Sequence, residues 1–308
     1  MLERLIKKRF AARKQLQYKQ FEKKYLSYIL IAPTIIILLC VVIFPLIASL
    51  GLSFTNYNLA TGVLQFIGFR SFLKIWRDEQ FLNSLFITLL YLAIVVPSEF
   101  TLGFGLALLL NKIPRAKRRL FTSIFLLASM MTPLVMGFMW KYMSHANVGV
   151  FNYILGLFGI RARPWLSSPS TALITLAILD IWMWTPFMAL ILVSGLVSLP
   201  KSLYEAAAID GASSANQFRW ITIPMLKPVI IVAIVLRLVD ALRTFDPIVV
   251  TTKGGPGEKT ELISFYIYKV AFNFFEMGRA MAISWIFLII TIILAQIFIR
   301  TLEKQEYD

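Results

Sequence analysis

Charged residues recur at every third position near the end of the fifth long apolar run of this chain: Arg237, Asp240, Arg243 and Asp246, in "RLVDALRTFDP". Two further acids, Glu99 and Asp180, stand deep inside other apolar runs. An ionisable group at membrane depth costs about 2.5–3.5 kcal/mol on insertion scales, so it turns toward a bundle interior, where it pairs or lines a polar path. Pairing would join Arg237 to Asp240, and Arg243 to Asp240 or Asp246. The other use would set Glu99, Asp180, Arg237, Asp240 and Arg243 along a route for a polar solute, and the two uses are compatible. Trp182 and Trp184, in "DIWMWTPF", are also deep, away from the interfacial belt where tryptophan normally sits. They serve as packing or as aromatic planes against a bound solute, and Pro186 after them is expected to kink their helix. Bond-making chemistry is not expected. The single His145 and the single Cys40 leave no His-based metal cluster, no intrachain disulfide and no nucleophile–base constellation at depth.

The elements that must position these residues are membrane helices. The chain has 308 residues, 58% hydrophobic and 15% charged, where a soluble domain carries about 25% charged residues. Its mean hydropathy is +0.75. Crossing about 30 Å of hydrocarbon at 1.5 Å per residue takes roughly 20 apolar residues. Six runs meet that length, near 28–50, 82–110, 120–142, 170–195, 227–250 and 279–300. They lack the two-residue alternation of barrel strands, so an all-α integral membrane protein with six transmembrane helices is expected. If the fifth helix enters at Pro228, Arg237 lies about 13 Å deep, near the midplane.

The net charge of +15 is a topology signal rather than a sign of nucleic acid. Nine basic residues crowd the first 26 positions, and "NKIPRAKRR" holds five more. With both termini cytoplasmic, the inner segments carry 19 Lys and Arg against 10 in the outer loops, as the positive-inside rule requires. The charged stretch before the first run is too long for a secretory n-region, so that run reads as a retained anchor. The expected organisation is a basic cytoplasmic tail at 1–27, a first helix and external loop at 28–81, a five-helix core at 82–300 and a cytoplasmic tail at 301–308.

Within the core, the loop at 198–227 is out of character. "EAAAIDGASSANQFRWITIP", from Glu205 to Pro224, has the charge, alanine content and glycine of a soluble helical hairpin. Pro200 suits a first helical turn, three alanines follow, and Gly211 stands where a left-handed cap is wanted. Ser213 or Ser214 can cap the next helix, which Pro224 and Pro228 end or kink. Leu203, Ala206, Ala207 and Asp210 share one face, where small alanines permit close approach of another backbone. Acidic Glu205 and Asp210 suit a docking element better than a helix resting on anionic lipid, which favours Lys and Arg.

"EAAAIDGA", followed by Phe218, Ile221, Pro224 and Pro228, resembles the EAA loop of ABC-importer permeases. "FPLIASLGLSFTNYNL", "GVFNYILGLFGI" and "FDPIVVTTKGGPGEKTELISFYIYKVAF" are similar to the MalF-type sugar permeases, over roughly residues 27–300. The chain departs from that pattern at "ASMMTP" (128–133) and "VVTTKGGP". The resemblance implies the type I ABC importer permease fold and a carbohydrate translocation path in a prokaryotic cytoplasmic (inner) membrane. It implies a coupling helix at 200–211 seated in an ATPase subunit. Glu205 would be its polar contact, Ala206 and Ala207 its packing floor, and Gly211 its turn, with Asp210, Ala212, Phe218, Ile221 and Pro224 completing the motif. The implied partners are a second homologous permease, two nucleotide-binding ATPase subunits and an extracytoplasmic solute-binding protein, besides the lipid bilayer. Beside such a path Trp182 and Trp184 suit the apolar face of a sugar. No cofactor is expected on this chain; ATP and magnesium belong to the partner ATPases. "GGPGEKT" at 254–260 lacks the adjacent Gly-Lys-Ser/Thr of a P-loop and follows no expected strand. The alternative, a self-sufficient ion-coupled secondary transporter, predicts inverted halves with matching broken helices, and the two three-helix halves show no evident similarity.

Overall fold

The computed structural model describes residues 25, 26 and 28–304, with side chains described as far as residue 300. The basic tail expected at 1–27, but for residues 25 and 26, and residues 305–308 lie outside the described residues. In chain order the helices are α1 (Tyr28–Ser53), α2 (Arg70–Ile75), α3 (Glu79–Lys112), α4 (Arg115–Met130), α5 (Pro133–Met143) and α6 (Val150–Leu157). They continue as α7 (Ala172–Ser198), α8 (Lys201–Ile209), α9 (Ser214–Gln217), α10 (Ile223–Leu242), α11 (Asp246–Val250), α12 (Ile263–Tyr268) and α13 (Met277–Lys304). A π-helical turn, Phe218–Thr222, carries α9 into α10 without a break. The proline expected to end or kink that segment, Pro224, is accommodated at the start of α10, and Pro228 lies inside it.

Among the described residues, five helices are long and apolar enough to cross a membrane: α1, α3, α7, the segment containing α9–α11, and α13. The third apolar run is not the single straight helix its composition suggests. It divides into α4 and α5, which meet at 87°. The cause is Pro133: its ring forces Thr132 into extended backbone (φ −67°, ψ 139°), and Met131 is extended as well. Counting that bent pair as one span gives six.

The core is built around α3 and α7, which pack on each other most extensively. On one end Ala107, Leu110, Met188 and Leu192 join Leu226 and Ile230 of α10; on the other Ile87, Tyr91 and Val95 meet Leu176, Ile248 and Leu262. A third cluster ties α10, α12 and α13 through Leu238, Leu242, Ile263, Tyr266 and Ile283. Small residues set the spacing, as interfaces between membrane helices favour. A Cβ on Gly103 would lie 2.8 Å from Cγ of Met188, and one on Gly195 2.6 Å from Cδ1 of Leu226. Gly103→Val is therefore expected to push α3 off α7 and destabilise the fold by about 1–3 kcal/mol, seen as a lower thermal midpoint in detergent. By contrast α1 buries almost nothing; most of its Ile and Leu side chains are exposed, and it meets the bundle chiefly along α13, where Trp285 Nε1 donates to Ser49 Oγ at 3.2 Å. Its solvent is the bilayer.

A polar clasp holds the opposite end of α3. Asp78 caps that helix by accepting from the Gln80 N–H at 3.1 Å, and it also accepts from the Tyr266 hydroxyl and from Arg279. Arg279 donates in addition to Glu276 at 2.8 Å. Burial opposes ionisation of Asp78, but the hydrogen bonds from Tyr266 and Arg279 and the guanidinium charge outweigh it, holding the carboxyl below its ordinary value of 3.8. A depressed acid stabilises the fold fully above its unfolded pKa and loses that contribution as pH falls through the folded one. Asp78→Asn, which keeps the cap but loses the charge facing Arg279, is accordingly expected to cost up to about 1 kcal/mol near neutral pH. The gap between variant and wild type should close below about pH 4, read from melting curves across pH.

Candidate functional site

Arg237, on α10, is 1% exposed and stands where α3 and α7 converge. Its Nε donates to Glu99 Oε2 at 2.5 Å and one terminal nitrogen to Glu99 Oε1 at 2.9 Å, a bidentate fork from α3. The same terminal nitrogen donates to Asp180 of α7, and the other donates to Asp240 Oδ2 at 2.8 Å. Trp184 lays its ring 5.0 Å from the guanidinium carbon, within cation–π reach. Arginine alone offers the fixed five-donor fork that such a junction needs. One cation thus binds three helices at membrane depth.

Of the residues placed on a candidate path, Glu99, Asp180 and Arg237 are buried and consumed in this junction. Asp240, whose side chain is 43% exposed, and half-buried Trp184 form its open edge. Trp182 stands apart on an exposed face, 6.3 Å ring to ring from Trp140. Arg243 ends α10 in an exposed position and, among the described residues, joins no ion pair, so Asp240 answers Arg237 instead. The i,i+3 spacing pointed to the Arg237–Asp240 contact; nothing local pointed to Glu99 and Asp180 as its other partners.

The hairpin at 198–227 forms as two short helices. Gly211 has φ +78°, its N–H donates to the Ala208 carbonyl at 3.1 Å, and the Ala212 N–H reaches the Ala207 carbonyl at 2.8 Å. These are the paired bonds of a Schellman cap, which favours glycine at the left-handed position. Ser213 caps α9 by accepting from the Asn216 N–H at 3.3 Å. The hairpin is moored from below: Tyr204 and Thr222 hydroxyls meet at 2.9 Å, and Phe218 packs on Phe104 of α3 at 5.8 Å. Glu205, Ala206, Asp210 and Gly211 stay exposed, as does Pro224, while Ala207, Ala212, Phe218 and Ile221 are half-buried. Ile209 is 87% exposed. The hairpin therefore presents an uncovered surface with Ile209 at its tip and a Glu205 that, among the described residues, joins no ion pair.

The 254–260 loop is tied to its own backbone and side chains. It follows helix α11, and Thr260 Oγ1 bonds inward to Thr252 Oγ1 at 2.8 Å and to the Gly255 carbonyl at 2.7 Å. Glu261 beside it bonds Lys269 Nζ at 2.9 Å.

Residues 99–305 match the family described as "Binding-protein-dependent transport system inner membrane component", and the chain belongs to it. It is 37% identical over 260 residues to the trehalose/maltose transport system permease protein MalF of Thermococcus litoralis, covering 84% of this chain and 86% of that one. Over 284 residues it is 31% identical to the sulfoquinovosyl glycerol transport system permease protein SmoG of Agrobacterium fabrum, 92% of each. In fold it matches a chain of a bacterial ABC transporter involved in the import of the acidic polysaccharide alginate, with a TM-score of 0.80 at 23% identity, over 93% of this chain and 98% of that one. The type I importer permease fold expected from the sequence is therefore present. Family and fold lend nothing to ion-coupled secondary transport.

Proposed function

We propose that the chain is one of two related permease subunits of an ATP-driven importer, and that its cargo is a carbohydrate or glycoside. The hairpin carries the coupling half of this reading. It is preformed, exposed and tied directly to the α3 and α10 helices that meet at Arg237, so a force applied at Glu205 reaches the depth of the bundle. Two ATPase subunits, holding ATP and magnesium, would supply that force. The basic loop at 111–119 sets the hairpin face toward the cytoplasm, with the termini on the same side. A solute-binding protein would dock on the opposite face, formed by the 51–81, 141–169 and 251–279 stretches.

The names of the trehalose/maltose and sulfoquinovosyl glycerol relatives support a sugar-bearing cargo. Asp240, Trp184 and Arg243 offer the hydrogen-bonding rim and aromatic plane that a sugar ring would use. The buried Arg237, Glu99 and Asp180 act behind that edge as its support. The test is uptake into vesicles holding the complete complex, with labelled glycosides and amino acids offered in parallel. ATP-dependent glycoside uptake is the expected result. Uptake driven by an ion gradient without any ATPase subunit would overturn the reading.

A further inference from the structure

Beside the hairpin, α4 and α7 leave an open groove of about 720 Å³. One wall is a single helical face of α4, in which Arg118 and Arg119 lie three and four residues after Arg115, and Thr122 four and three after them. The floor, from α7, is apolar and includes Leu190 and Val193. Three features of the arginines stand out. They occupy the first turns of a helix with no acidic residue in its first turn, where the helix dipole disfavours cations. None of them joins an ion pair among the described residues. And α4 continues below them, on the same face seven residues after Arg118 and Arg119, with exposed Phe125 (39%) and half-buried Leu126, so the cationic rim stands above apolar side chains.

We propose that this groove binds an anionic diacyl phospholipid, its phosphodiester held by Arg115, Arg118 and Arg119 and its acyl chains laid against α4 and α7. The charge calls for an anion, and guanidinium forks match phosphate oxygens in pairs. Basic pockets between membrane helices at the cytoplasmic interface recognise lipid headgroups. The apolar floor selects an anion that carries its own hydrocarbon. The placement of the groove at the inner leaflet rests on the orientation proposed above.

The test uses the complete complex in vesicles of phosphatidylcholine doped with phosphatidylglycerol, extracted in detergent, with retained lipid quantified by mass spectrometry. The Arg115→Gln, Arg118→Gln, Arg119→Gln triple variant is expected to retain about tenfold less phosphatidylglycerol than wild type, with phosphatidylcholine unchanged. A Lys112→Gln, Lys117→Gln control, which removes neighbouring charge outside the groove, should change retention less than about twofold. Ser194→Phe, which fills the groove without removing charge, should reproduce the loss if the triple variant assembles poorly. Equal losses in the triple variant and the lysine control would overturn the proposal. So would displacement by excess inorganic phosphate, which would mark a free-phosphate site, or loss of the ATPase subunit with phosphatidylglycerol retained, which would mark a protein interface. Lipid retention is read without ATP, so a failure of the importer reading shows separately, in the uptake assay.

Discussion

Arg237→Met should be the most damaging single substitution in the bundle, destabilising it by about 3–5 kcal/mol. The variant roughly keeps side-chain volume but removes both Arg237 donors from Glu99 and the Arg237 donor from Asp180, which is left with the Tyr91 hydroxyl; both acids stay buried where water cannot replace the loss. Breaking one side of a buried ion network costs more than the network contributes when whole, because the stranded charges carry the penalty. That asymmetry makes a specific pattern. Adding Glu99→Gln and Asp180→Asn to Arg237→Met should recover a substantial part of the loss, since neutral amides can bond each other. The comparison is made on thermal midpoints and the yield of monodisperse protein in detergent. If the triple variant is no more stable than Arg237→Met alone, uncompensated charge is not the cause and the junction must act through packing with Trp184.

This junction also marks where the sequence stops being informative. Each partner was visible as an ion at depth, and the i,i+3 spacing put Asp240 beside Arg237. The other two contacts join residues 138 and 57 positions apart, so only the packing of three helices creates them. Arg243 shows the reverse failure: its spacing to Asp240 and Asp246 offers two partners, yet it terminates α10 and turns outward. The membrane spans and the hairpin were legible because their signals are local. Apolar length, Gly211 before Ser213, and helix-forming alanines each act within a few residues. The bend at Met131–Pro133 had a local signal too, in the backbone restriction before proline, but a count of apolar residues runs through it. The clasp of Asp78, Tyr266 and Arg279 combines a readable cap, Asp78 ahead of α3, with contacts nearly two hundred residues away that no local pattern contains.

Glu205→Ala and Gly211→Val separate two ways in which the hairpin can fail. Glu205 is exposed and forms no ion pair among the described residues, so its removal should leave the melting midpoint of this chain unchanged. If it meets a buried donor on an ATPase subunit, its loss costs about 2–5 kcal/mol of docking free energy. That corresponds to roughly 30-fold or more weaker retention of the ATPase on purification, with uptake lowered to match. Gly211 has open space around its α-carbon, since a Cβ there meets nothing within 4 Å. Its constraint is the backbone alone: φ +78° costs an ordinary L-residue about 1–2 kcal/mol, and a β-branched one more. Gly211→Val should therefore loosen the turn between α8 and α9 while leaving the Glu205 contact available. ATPase retention then falls only slightly, whereas uptake per ATP hydrolysed falls severalfold. Gly211→Asn, which tolerates the left-handed region, should restore most of the coupling. A Gly211→Val complex that imports as efficiently as wild type would mean that force enters the membrane through α8 alone, by way of Tyr204 and Thr222, and that the turn merely connects.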